Sequence, residues 1–245
     1  MDRLILPRRK FLLAAPALVL PHRRADAQMM QAIVNGKIPA SGPPPGWNLI
    51  ASVHKDGNGV ASSAINTTFA NLLVCNAADF NNGGVSAPTD SYGNTWVGLT
   101  SYVNFLVVNI YYVVSPTVGA GHTFTPVNAG NGGITVHAFS GANATTPYEG
   151  HQNGTTTDGT GTVQPGSVTP GQNNTLIYSG YMSNAGSVGA TINSGFASPP
   201  PQSSVGTTWT SSGSYFVQAT AAAINPTWSS AGTANMRANI AVFKT

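Results

Sequence analysis

From Trp47 to Thr245, Gly, Pro, Asn and Asp interrupt the chain so often that no long stretch keeps its apolar residues at helical spacing. The pieces between interruptions are short and rich in β-branched and aromatic residues, which suits strands. The strongest is Phe105–Ser115 (FLVVNIYYVVS), expected to be a central strand buried on both faces. Leu106, Val108, Ile110, Tyr112 and Val114 form the more apolar face and are expected to point into the core. Phe105, Val107, Asn109, Tyr111 and Val113 are expected to lie under loops or partly in water, with Asn109 solvated.

Further strands are expected at Asn48–His54, Ser62–Thr68, Asn71–Ala77, Thr95–Tyr102, His122–Val127, Gly133–Phe139, Asn174–Tyr181, Val188–Asn193, Ser214–Ile224 and Ala234–Phe243. The runs 71–77 and 214–224 hold enough Ala and Leu to suit a helix as well. Gly93-Asn94, before an alternating run, and Pro116 to Gly121 supply hairpin chemistry. Residues 150–172, rich in Gly, Thr, Gln and Pro, read as a long surface loop with a short edge strand. Together these features predict an all-β fold: a two-sheet antiparallel β-sandwich of roughly ten strands, in one domain over residues 47–245. Residues 28–46, with Pro43-Pro44-Pro45, read as a Pro/Gly-rich linker.

The N-terminus sets the expected compartment. Arg8-Arg9-Lys10 precedes the apolar run Phe11–Leu20, and Ala25-Asp26-Ala27 offers a small-x-small cleavage pattern before Gln28. A run of this length is too short to span a bilayer, which takes about 20 residues. Residues 1–27 are therefore expected to be a removed signal peptide that leaves no membrane insertion behind. Arg8-Arg9-Lys10-Phe11-Leu12 is similar to the twin-arginine export motif, so the mature protein is expected to be periplasmic or secreted.

Charge follows from that boundary. The whole chain carries +3, but residues 1–27 hold six basic and two acidic side chains, so the remainder is −1. The remainder has four cations (Lys37, Lys55, Arg237, Lys244), too few to neutralise a run of phosphates, and nucleic acid is excluded as a partner. Cys75 is the only cysteine, so the apolar core must hold the fold without an intrachain disulfide.

The succession Asp90-Ser91-Tyr92-Gly93-Asn94-Thr95-Trp96, Ile110 to Pro116, Gly119 to Thr125 and Ile134 to Ala142 resembles an uncharacterised β-sandwich domain of exported bacterial and phage or prophage surface proteins. Ala241-Val242-Phe243-Lys244 fits its closing strand. The resemblance covers about residues 48–245. It implies a jelly-roll-like sandwich and a surface role, and it names no ligand.

Catalytic chemistry has little material here. A glycosidase needs two flanking carboxyl groups, and Asp79 with Glu149 is the one pair to nominate. No Gly-x-Ser-x-Gly elbow marks a serine hydrolase. For a metal, His122 and His137 on neighbouring strands with Glu149 and His151 would make a zinc-like set if they converged. Asp90 and Asn94 with backbone carbonyls would suit calcium. For a glycan, Tyr92, Trp96, Tyr148, Tyr181 and Trp209 lie in or beside turns, where exposed rings could stack on sugar faces. Trp47 and Trp228 read as core or linker packing. The expectation is a non-catalytic structural or adhesion module with no cofactor, whose partner is a cell-surface or particle component. The alternatives are a carbohydrate-binding module or phage-derived glycan-binding appendage, and a metal-dependent or glycoside-cleaving enzyme. Oligomeric state is not legible.

Overall fold

The computed structural model describes residues 46–80, 85–100, 102–127, 132–153, 157–158, 161–184, 189–198, 203–205, 209–230 and 235–245. The expected signal peptide and the linker up to residue 45 lie outside the described residues. The described chain is all-β. It forms β1 (Asn48–Asp56), β2 (Leu72–Asp79), β3 (Thr89–Asp90), β4 (Val97–Gly98), β5 (Tyr102–Asn104), β6 (Leu106–Val114), β7 (Phe124–Thr125), β8 (Gly132–Ser140) and β9 (Tyr148–Asn153). Then come β10 (Thr157–Asp158), β11 (Thr162–Val163), β12 (Thr175–Ser183), β13 (Ala190–Ile192), β14 (Ser203–Val205), β15 (Trp209–Gln218), β16 (Trp228–Ser230) and β17 (Asn235–Phe243). Every described pairing is antiparallel. Among the described residues no helix is long and apolar enough to cross a membrane.

Four sheets result. One has the order β1-β8-β2-β6-β4, with β5 also on β6. A second has the order β10-β17-β12-β15-β14, with β9 also on β17. The smaller ones are β11-β16-β13 and β3-β7. The alternation of strand side chains decides what each face meets. Leu72, Val74, Ile110 and Phe139 of the first sheet share a core cluster with Leu176, Tyr178, Ala241 and Phe243 of the second. Farther along, Ala78, Leu106 and Val108 meet Met182 and Trp209. The other face of the first sheet (Leu73, Cys75, Tyr111, Val113, Ile134, Val136) lies under Trp96 and Phe124. The other face of the second sheet lies under Val163 and Trp228 at one end and under Val168 and Ile224 at the other.

The strand β6 is thus buried on both faces, with Leu106, Val108 and Ile110 turned toward the second sheet as expected. Asn109 is the correction, because it is only 6% exposed rather than solvated. The loops over its face carry apolar groups, Val85 and Val118 among them, and these keep that side dry.

Other expectations shift with physical cause. Residues 71–77 are strand, as β2. The expected strand 214–224 leaves the sheet after Gln218, whose amide donates to Thr220 O and Ala222 O and turns the chain away. Residues 62–68 form no strand: Ser62 N–H donates to Phe124 O, Ile65 exchanges a pair of backbone bonds with His122 in an isolated bridge, and the segment runs as a cover. Among the described residues of 95–102, β4 and the first residue of β5 pair with β6 and Leu99 N–H donates to Ile110 O, while His122 makes a single bridge before the short β7. The segment read as mostly loop, 150–172, instead contributes most of β9 together with β10 and β11.

Candidate functional site

The turn that opens the D-S-Y-G-N-T-W motif is built around one carboxylate. Gly93 takes the positive φ of 70° that the turn requires. Asp90 Oδ1 accepts the Tyr92 N–H (3.0 Å), the Asn94 N–H (3.3 Å) and the Asn94 side-chain amide (3.1 Å). Its Oδ2 accepts the Trp96 indole N–H at 2.9 Å. His122 Nε2 stands 3.1 Å from Oδ1, off the line of a formed hydrogen bond, and both side chains are fully buried. Burial alone would push the Asp90 carboxyl up, but the contacts from His122, Trp96, Asn94 and Tyr92 outweigh it and hold it below the ordinary range.

The same residues fasten the turn to its neighbours. Asn94 exchanges two bonds with Thr117, and the Tyr92 hydroxyl donates to Ala120 O at 2.7 Å. Thr67 Oγ1 lies 2.9 Å from His122 Nδ1 and accepts the Gly119 N–H at 3.1 Å. The Thr67 hydroxyl also reaches Gly119 O at 3.2 Å, and its one proton is shared between that carbonyl and His122 Nδ1 according to the imidazole tautomer. Thr67, His122 and Asp90 have the residue types of a nucleophile–base–acid relay. Thr67 and His122 are fully buried, however, and Thr67 is tied to Gly119, so the chain of bonds acts as a clasp. Calcium does not suit this turn either, because donors rather than oxygens surround Asp90.

The residues nominated for zinc do not converge. His122 lies beneath the loops on one face of the first sheet, stacked on Phe124. His137 faces the second sheet, beside Phe139 and Tyr178. Glu149 and His151 belong to β9 in the second sheet. Among the described residues no three His, Cys, Asp or Glu side chains are placed to share a metal ion. Asp79 and Glu149, the nominated acid pair, are in different sheets.

The aromatic set is equally divided. Tyr181 and Trp209 are buried, Tyr181 stacked on Trp228 and Trp209 packed against Met182. Trp96 is 9% exposed and held by Asp90. Tyr148 is half-buried and stacked on Tyr112, and Tyr92 alone of the five is exposed. They present no common face. Trp228 is core, as expected, and Trp47 is half-buried against Phe139. Cys75 is buried, and that burial pushes its thiol well up.

A different feature does open to solvent. At the β9–β17 edge of the second sheet lies a groove of about 170 Å³, lined by Glu149, Gly150, His151, Gln152, Ser167, Val168, Thr169 and Val242. Gly150 pairs with Val242, and a bulge at that point makes Glu149 the extra residue. One wall is a strap, Pro165–Pro170, with both prolines buried. It is fixed through paired backbone bonds between Val168 and Ile224 and through Gly166 N–H to Asn225. Ser167, Thr169 and Gln152 are exposed. Glu149 accepts one long bond, from Gly171 N–H at 3.4 Å. His151 engages the Tyr148 hydroxyl, and its burial holds it below the ordinary imidazole range, so it is neutral at neutral pH. The groove therefore carries one carboxylate, an amide and two hydroxyls, with Val168 and Val242 buried beneath them. Glu149 and His151 were nominated from sequence for a metal. Gly150, Gln152, Ser167 and Thr169 were not nominated, because nothing in the local pattern tells a wall from an ordinary loop. Comparison with protein-family models, with curated proteins and with solved structures returned no match.

Proposed function

We propose that this chain is an exported, non-catalytic surface module, a jelly-roll-like two-sheet sandwich that attaches to or builds into an outer surface. The observation that carries the reading is the Asp90 clasp, in which an acid touches a buried histidine, that histidine is bonded to a hydroxyl, and acid and hydroxyl are each tied to loop backbone. Two further features support it. The N-terminal segment has the pattern of a twin-arginine signal, and the remaining 218 residues hold only nine charged side chains. A surface so poor in charge associates through hydrogen bonds and apolar contact rather than through long-range fields.

The test is co-sedimentation of the full-length protein with cell-envelope fragments, at low and at high salt. Retention at both salt concentrations is expected, because ionic screening weakens only charge-driven attachment. Absence of binding at either concentration, or release by salt alone, overturns the reading.

A further inference from the structure

We infer that the groove at Gly150 is a binding site for one neutral sugar unit, most simply the terminal residue of a surface glycan. This inference deepens the surface-module reading and rests on it. Its starting point is the glycine itself. Glycine weakens a strand interior, and its presence there marks crowding, a bulge or the close approach of a ligand. Every other strand glycine in the described residues has a crowding neighbour where a Cβ would stand. Gly98 has the Tyr111 ring at 2.8 Å, Gly132 the Ala78 carbonyl, Gly133 the Lys55 carbonyl at 2.6 Å, Gly180 the Asn76 amide and Gly213 the Tyr178 hydroxyl. Gly150 has nothing within 4 Å among the described residues and no positive φ. The bulge at Glu149 adjoins it, but with no positive φ that bulge admits any residue, and packing among the described residues does not ask for glycine either. What its missing side chain does is keep the floor of the groove open.

The walls state the chemistry. Glu149, Gln152, Ser167 and Thr169 offer acceptors and donors in the mixture that vicinal hydroxyls need, while Val168 and Val242 are buried beneath them and leave the accessible lining mainly polar. Glu149 is the one carboxylate in the lining and no cation accompanies it, so an anionic sugar is repelled. A volume of about 170 Å³ lies well below that of drug-sized pockets, which begin near 300 Å³, and admits a single unit rather than a chain. The strap is held at both ends by buried prolines and by backbone bonds, so the wall is formed before the ligand arrives.

The test is saturation-transfer NMR on the full-length protein with the methyl glycosides of glucose, galactose, mannose and N-acetylglucosamine, and with glucuronate as the charged control. At least one neutral glycoside should receive saturation and glucuronate should not. Gly150→Leu should abolish the signal, and Glu149→Gln should weaken binding about tenfold. The melting temperature of Gly150→Leu should stay at or above that of the parent, since its side chain enters open space. Gly150→Ala and Glu149→Gln carry the test if the leucine variant fails to fold. Silence from all four neutral glycosides, preference for glucuronate, or a signal that survives Gly150→Leu in a folded protein overturns the inference. Envelope co-sedimentation separates the two ideas: binding to envelopes without any sugar signal leaves the surface module standing and removes the sugar site.

Discussion

Replacing Asp90 by Asn keeps the shape of the clasp and removes its charge. The carboxylate accepts four N–H bonds through two oxygens, and the Trp96 indole uses the one that the turn does not. An amide has a single acceptor oxygen. If that oxygen stays with the turn, an NH2 group faces the indole N–H, which is nearly buried and loses its partner. A buried donor left unsatisfied costs about 1–3 kcal/mol, and the turn bonds weaken as well, since bonds to a charged acceptor contribute about twice those to a neutral one. The expected deficit at neutral pH is about 2–4 kcal/mol, large against the stability of an ordinary domain yet compatible with folding. The pH dependence has a definite sign. The folded carboxyl titrates below its ordinary value of 3.8, so the stabilisation is complete above that value and is lost as pH falls through the folded pKa. Urea unfolding of parent and D90N, stepped downward in pH from neutrality, should show two curves that converge only in strong acid. A neutral-pH deficit below about 1 kcal/mol, or a gap that widens below pH about 4, would refute the role assigned to this carboxylate.

Two contrasts test the packing. Ile110→Ala should cost about 2–5 kcal/mol, because Ile110 is 1% exposed between the sheets. Asn109→Ala should cost about 1 kcal/mol, since Asn109 is buried with its carbonyl oxygen unsatisfied; denaturant melts that rank Asn109 above Ile110 would reverse the strand register. Among glycines, Gly180→Ala should cost at least about 2 kcal/mol, because its Cβ would press on the Asn76 and Asn239 side chains, both held by hydrogen bonds. Gly150→Ala should be neutral or stabilising by up to about 1 kcal/mol. Thermal melts that order these two the other way would show that the space beside one of them has been misassigned.

The all-β class was legible because turn chemistry and β-branched runs act locally, and β6 could be oriented because its two faces differ in polarity along ten consecutive residues. What escaped was decided by contacts between distant segments. Ser62–Thr68 has strand composition, yet its hydroxyls and backbone serve as cover for β7 and His122. The polar runs of 148–163 form strands because β17 and β16 offer edges to pair with, and backbone pairing is indifferent to side-chain type at a solvated edge. The same limit governed the site. Trp and Tyr beside turns were nominated as rings that could be exposed, but a turn residue is as exposed as the next layer allows. Here a third layer, the small sheet β11-β16-β13, covers Tyr181, while Trp209 turns inward to Met182.

The centre of the space between the large sheets shows why even a correct fold class leaves the interior unspecified. Asn76 of β2 donates across that space to Ser212 O at 2.8 Å and Tyr181 O at 3.3 Å, next to the two glycines, Gly180 and Gly213, that leave no room for a Cβ. Tyr178 donates its hydroxyl to Thr135 O at 3.2 Å on the opposite sheet. In sequence, an Asn within LLVCNAAD and a Gly within IYSGY read as blemishes in otherwise apolar strands. In the fold they are complementary. The glycines bring backbone carbonyls within reach of a side chain from the facing sheet, and the polar groups then tie the sheets in one register, which apolar contact alone does not do. A residue's fitness for a buried strand therefore belongs to a pair of positions more than a hundred residues apart. Gly150 differs from them: among the described residues nothing stands where its Cβ would be, and the proposed sugar site rests on that opening.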